Sequence, residues 1–134
     1  MKKLLIICLV LAGFSRCKML HTEGFNTYFW TSAEGEKLYL FIEGENKGLL
    51  PYLPAGPDCG NEELKKKTLR VDLPSGSYDI IIKNEQQETL YSEELRIKRR
   101  GGSLTIGNST DYKRHGTRRV FKDSCLIEEF YLYK

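Results

Sequence analysis

Beyond His21 the apolar residues recur at every second position in short runs, each closed by glycine, proline, asparagine or serine. That period belongs to β-strands, whose side chains point alternately to the two faces of a sheet. Thr27 to Thr31, rich in aromatic and β-branched types, predicts a first strand. Lys37 to Glu43 predicts a second, with Leu38, Leu40 and Ile42 on one face and Tyr39 and Phe41 on the other. Two apolar faces predict a strand that is central or covered on both sides. A turn at Gly44 to Gly48 and a short return strand at Leu49-Leu50 follow.

Pro51 to Asn61 differs in kind, because three prolines and two glycines in eleven residues forbid a regular ladder or helix. Fixed φ angles at Pro51, Pro54 and Pro57 predict a rigid, exposed loop that displays Tyr52 and Leu53, with an inserted connector whose rings cover one end of the core as the alternative. Glu62 to Lys67 has room for one helical turn. Thr68 to Leu73, Tyr78 to Lys83 and Leu90 to Lys98 then read as strands. Ser103 to Ile106 is a further short one, Asn108 to Gly116 reads as a polar loop, and Val120-Phe121 is a brief apolar touch. Leu126 to Tyr133 closes the chain, with Leu126, Phe130 and Leu132 on one side and Ile127, Tyr131 and Tyr133 on the other. No stretch keeps a helical period over three turns. The expectation is an all-β domain over residues 25–134, a small β-sandwich of seven or eight short antiparallel strands.

The amino terminus obeys another rule. Lys2 and Lys3 precede eleven small or apolar residues, Leu4 to Phe14, and then polar Ser15-Arg16. This is the charged and apolar layout of a secretory signal peptide over residues 1–16, too short for the roughly 20 residues of a spanning helix. Two processing routes are open. Gly13 and Ser15 suit a peptidase that cuts before Arg16, whereas Leu11 to Cys17 resembles a bacterial lipobox, with Cys17 as the lipidated residue and 17–24 as a tether. Arg16 and Phe14 depart from that pattern, which prefers a small residue and a leucine.

Export changes the meaning of the charge. Of 21 basic residues Lys2, Lys3 and Arg16 leave, and no acid does, so the mature part balances 18 against 18. A neutral balance gives no general attraction to nucleic acid. Cys59 and Cys125 become the only cysteines in the body of the domain, a pair expected to be bridged in an oxidising envelope, with two separate buried thiols as the alternative.

Leu40-Phe41-Ile42-Glu43-Gly44, Lys47-Gly48-Leu49-Leu50-Pro51 and Leu73-Pro74-Ser75-Gly76-Ser77-Tyr78-Asp79-Ile80 together resemble the PEGA-type and carboxypeptidase-regulatory-like β-sandwich modules. Glu43 stands where those modules have aspartate, and about a dozen residues around Cys59 are inserted. The resemblance implies a non-catalytic envelope or extracellular fold. With the signal and Cys17, the chain also resembles small Bacteroidetes lipoproteins.

Little points to catalysis. His21 and His115 are the only histidines, and no spacing gathers them with the cysteines as a nucleophile pair or a zinc site. No phosphate-binding glycine loop, cofactor motif or metal motif is present. Lys65-Lys66-Lys67, Arg96 to Arg100, and Lys113 to His115 with Arg118-Arg119 are read as solvated charge that discourages edge pairing, or as contacts to anionic headgroups or glycans. Among fifteen aromatic residues, Tyr28-Phe29-Trp30 is core filling or a surface platform. The functional expectation is a non-enzymatic envelope protein, facing the periplasm on a lipid anchor or secreted. Its partners are the membrane and an unknown envelope protein or glycan, and its candidate surface is Trp30, Tyr52 and Leu53. The alternative is a small envelope enzyme with a reactive cysteine.

Overall fold

The computed structural model describes residues 25–97, 104–111, 115–122 and 125–132. Expectations for the signal peptide, the tether and Cys17 lie outside these residues.

Nine strands are present among them: β1 (Phe25–Thr31), β2 (Tyr39–Ile42), β3 (Glu45–Leu49), β4 (Leu69–Leu73), β5 (Gly76–Lys83), β6 (Thr89–Ile97), β7 (Leu104–Asp111), β8 (His115–Lys122) and β9 (Cys125–Leu132). One helical turn, α1 (Glu62–Lys65), precedes β4. The strands form a four-stranded sheet, β4-β1-β9-β8, and a five-stranded sheet, β3-β2-β5-β6-β7. One apolar cluster draws on both sheets, including Phe29, Leu126 and Phe130 from the first and Leu40, Ile80, Ile82 and Leu95 from the second. The expected all-β sandwich is therefore the observed architecture.

Local details depart from expectation where polar residues hid a strand. The stretch Asn108 to Gly116 is largely ladder: β7 runs on to Asp111, and β8 begins at His115. Val120-Phe121 is the apolar part of an eight-residue strand. The pairing is also not wholly antiparallel, since β1 and β9 run parallel with Asn26 opposite Cys125 and Thr31 opposite Phe130. The turn after β2 is shorter than expected. Glu43 (φ 52°) and Gly44 (φ 77°) alone make it, the pair of positive φ angles that a tight two-residue hairpin requires. Gly48 (φ 131°) lies one residue past Lys47, which has no partner in the β2–β3 register. Such a bulge leaves one residue unpaired and bends the strand.

β2 lies inside its sheet, between β3 and β5, but only one of its faces is sealed. Leu40 and Ile42 are buried while Tyr39 and Phe41 are half-buried, and the Lys83 ammonium sits 4.7 Å from the centre of the Phe41 ring. On β5, Tyr78 donates to the Pro74 carbonyl at 2.7 Å and so hooks the turn that precedes its own strand.

Candidate functional site

The outer face of the four-stranded sheet carries a second, smaller apolar layer. Tyr28 and Trp30 of β1 and Ile127 of β9 point away from the main core and would meet water if nothing covered them. The proline loop covers them. Its first half pairs with the end of β1, where Thr31 N donates to the Pro51 carbonyl at 2.9 Å and Leu53 N donates to the Thr31 carbonyl at 3.0 Å. Its second half is tied down by the Cys59–Cys125 disulfide, with Cα atoms 6.0 Å apart. Asp58 Oδ1 then accepts from Gly60 N, and Asn61 Oδ1 caps α1 by accepting from Leu64 N. Lys65 is buried at the end of α1 with its ammonium on Glu62 and 5.2 Å from the centre of the Tyr28 ring.

The expected exposed platform is corrected by this arrangement. Trp30 and Leu53 are 4% and 6% exposed, because they are the material the loop packs down on the sheet. Of the three candidate surface residues only Tyr52, at 42%, faces solvent. The three consecutive aromatics Tyr28, Phe29 and Trp30 are all buried, since both faces of β1 are covered. Two basic residues also leave the surface: Lys65 beneath the loop and Arg119 inside the sandwich.

The loop leaves the β8 side of the sheet open. Between Pro54, Gly56 and Pro57 on one wall and Arg118 and Val120 of β8 on the other lies a groove of about 310 Å³. Ile127, Trp30, Ser32 and Glu129 floor it. Val120 is 42% exposed beside buried Ile127, its cross-strand partner. At the polar end Ser32 donates to Glu129 Oε1 at 2.6 Å, and Arg118 lies 3.6 Å from the same carboxylate and 5.6 Å from the centre of the Tyr131 ring. The Trp30 indole N–H is buried, with no acceptor among the described residues. Gly56 is needed where it stands, since a Cβ there would lie 3.0 Å from Trp30 Cζ2 and 3.3 Å from Cη2. The groove thus offers an apolar floor with one donor-only group at its polar end, the Arg118 guanidinium.

Directly behind β8, inside the sandwich, is a charged cluster that sequence reasoning missed. Glu93 of β6 and Glu128 of β9 are each 3% exposed, and one guanidinium, Arg119 of β8, contacts both. Tyr91 donates to Glu93 Oε2 at 3.0 Å and shares a hydrogen bond of 3.2 Å with Thr117. Burial alone would raise the Glu93 carboxyl, but hydrogen bonding to Glu128 and the Arg119 charge outweigh it and hold Glu93 below the usual carboxylate range. Burial and then the Glu93 charge push Glu128 well above that range. The alternation held a signal for this pair: Glu93 falls between inward Tyr91 and Leu95, and Glu128 between inward Leu126 and Phe130.

Cys59 and Cys125 are joined, so neither supplies a free thiol. Among the described residues no group of three or more His, Cys, Asp or Glu side chains is placed to hold a metal ion. No helix among them is long and apolar enough to cross a membrane. Compared with family models, curated proteins and solved structures, the chain matches none.

Proposed function

We propose that this chain is a non-enzymatic binding module of the cell envelope, exported by its first sixteen residues and tethered through Cys17. In this reading it is a PEGA-like sandwich whose inserted loop has become one wall of a ligand site. The observation that carries the reading is the loop itself, held at one end by β1 and at the other by the disulfide, so that the groove beside it is fixed before any ligand arrives. A preformed wall spares the ordering cost that a mobile loop would pay on binding.

The lining selects the ligand class. Val120, Ile127 and the two prolines suit apolar side chains, while the exposed Arg118 guanidinium, only loosely held by Glu129, suits an acceptor. An extended peptide supplies both, with carbonyl oxygens spaced between apolar side chains. A peptide library selected against the mature domain tests this, using Val120→Glu as the counter-screen. Selected peptides should bind the wild type and lose at least about tenfold, roughly 1.4 kcal/mol, on the variant. Peptides that bind both proteins equally, or no selection at all, would refute the groove as a peptide site.

A further inference from the structure

We infer that Glu93, Glu128 and Arg119 form a buried site for a single proton, and that this proton sets how firmly β8 is anchored to the rest of the sandwich. The consequence for binding rests on the groove reading above, whereas the proton site itself does not.

The argument begins with a charge count. One guanidinium faces two carboxylates, so the cluster carries one uncompensated negative charge if both acids are ionised. Burying an unpaired charge is expensive, and a group so placed takes up a proton instead. The geometry agrees, because the same guanidinium nitrogen, Arg119 Nη2, contacts Glu93 Oε2 and Glu128 Oε1, which brings two buried carboxyl groups together on one cation. Two acceptor oxygens, Glu93 Oε1 and Glu128 Oε2, have no donor among the described residues. The space beside Glu128 leaves a proton as the cation that fits. It is a void of about 10 Å³, walled by side chains that include Phe29, Leu50, Ile80 and Ile82, and that is barely the volume one water molecule requires. The other titratable group facing the pair, among the described side chains, is Tyr91 of β6, whose phenol burial raises.

β8 connects this site to the surface. It is an edge strand of its sheet, and among the described strands it pairs with β9 alone. Its alternate residues serve different purposes: Thr117 and Arg119 reach inward to Tyr91 and Glu93 on the opposite sheet, and Arg118 and Val120 form the groove wall. With Glu128 protonated, Arg119 and Glu93 make a balanced ion pair across the two sheets. Once the proton leaves, Glu128 competes for the same guanidinium and repels Glu93. β8, which carries Arg119 and has one neighbouring strand, is the element that loosens.

The sign follows from the two directions. Glu128 titrates above its unfolded value, so its contribution is complete at low pH and is lost as pH rises through its folded-state value. Glu93 titrates below its unfolded value, so its contribution is lost as pH falls through its own. β8 should therefore be held best at mildly acidic pH, between the two.

Carbon-13 carboxyl NMR of the wild-type mature domain reads the proton directly, and amide hydrogen exchange across residues 115–122 reads the strand. Glu128 should keep its proton well above the ordinary carboxylate range. Protection factors in β8 should fall by about tenfold or more on going from about pH 5 to about pH 9, ahead of those in β5. Glu128→Gln should remove that alkaline loss, and Glu93→Gln should return Glu128 to an ionised carboxylate paired with Arg119. A Glu128 resonance that titrates in the ordinary range, or a β8 protection profile unchanged by Glu128→Gln, overturns the proposal. Neither readout uses a peptide, so failure of the library selection leaves them unaffected. A proton site without peptide binding would sink only the groove.

Discussion

Replacing both Cys59 and Cys125 by alanine tests the loop as a pinned element. The bridge joins positions 66 apart in the chain. Removing a cross-link over that span releases loop-closure entropy in the unfolded state worth about 4 kcal/mol, an upper value because denatured-state structure subtracts from it. With a urea slope of about 2 kcal/mol/M, the unfolding midpoint should fall by about 2 M, and the slope itself should rise as the unfolded chain expands. The protein carries a single tryptophan, which packs under the loop against Ile127, Tyr28 and Leu53. Its fluorescence therefore reports the loop, while far-ultraviolet circular dichroism reports the sheets. In the wild type the two signals should change together, since the pinned loop and the sheet unfold as one. In the variant the tryptophan emission should move to the red at lower urea than the sheet signal. A midpoint loss below about 0.5 M, with the two probes still coincident, would refute the view that the bridge rather than the prolines holds the loop down.

Two further outcomes bear on the core and the anchor. Leu126, with no exposed surface, sits in the main core on the central strand β9, and Leu126→Ala should cost about 2–5 kcal/mol in chemical denaturation. If Cys17 is lipidated, wild-type protein should partition into a detergent phase and Cys17→Ala should stay aqueous. Release of protein beginning at Arg16 would decide for the ordinary peptidase.

The sandwich was legible because most of its strands alternate cleanly against apolar partners, as Leu40 and Ile42 do in β2. β7 and β8 were not, since their polar positions read as a loop and pairing to a neighbour is a non-local fact. The disulfide was legible from cysteine counting. What the sequence could not show was the direction in which the aromatics face. The same proline loop that implies a display surface turns Leu53 and Trp30 inward, because the exposed outer face of β1 needs a cover more than the loop needs a side chain to show. The acid pair escaped for a related reason. Charged residues at inward positions of the pattern look like exceptions until Arg119 is found between them, and Arg119 lies in a run that reads as surface charge.

The parallel pairing of β1 with β9 has a consequence for how the chain reaches this state. Asn26 meets Cys125 at one end of that ladder and Thr31 meets Phe130 at the other, so the first strand made finds its central neighbour only when the last has emerged. Among the described strands, β2, β3, β5, β6 and β7 pair with one another, mostly as sequence neighbours, and their sheet can assemble early. The other sheet cannot, because β1 and β4 alone make a two-stranded ribbon of marginal stability. Closing a loop of that length adds an entropic barrier that local contacts do not repay in advance. A growing chain therefore holds one finished sheet with an apolar face uncovered. The eight residues of β9 act as a latch, and because the second cysteine of the disulfide opens β9, the native docking of that strand brings Cys125 to Cys59.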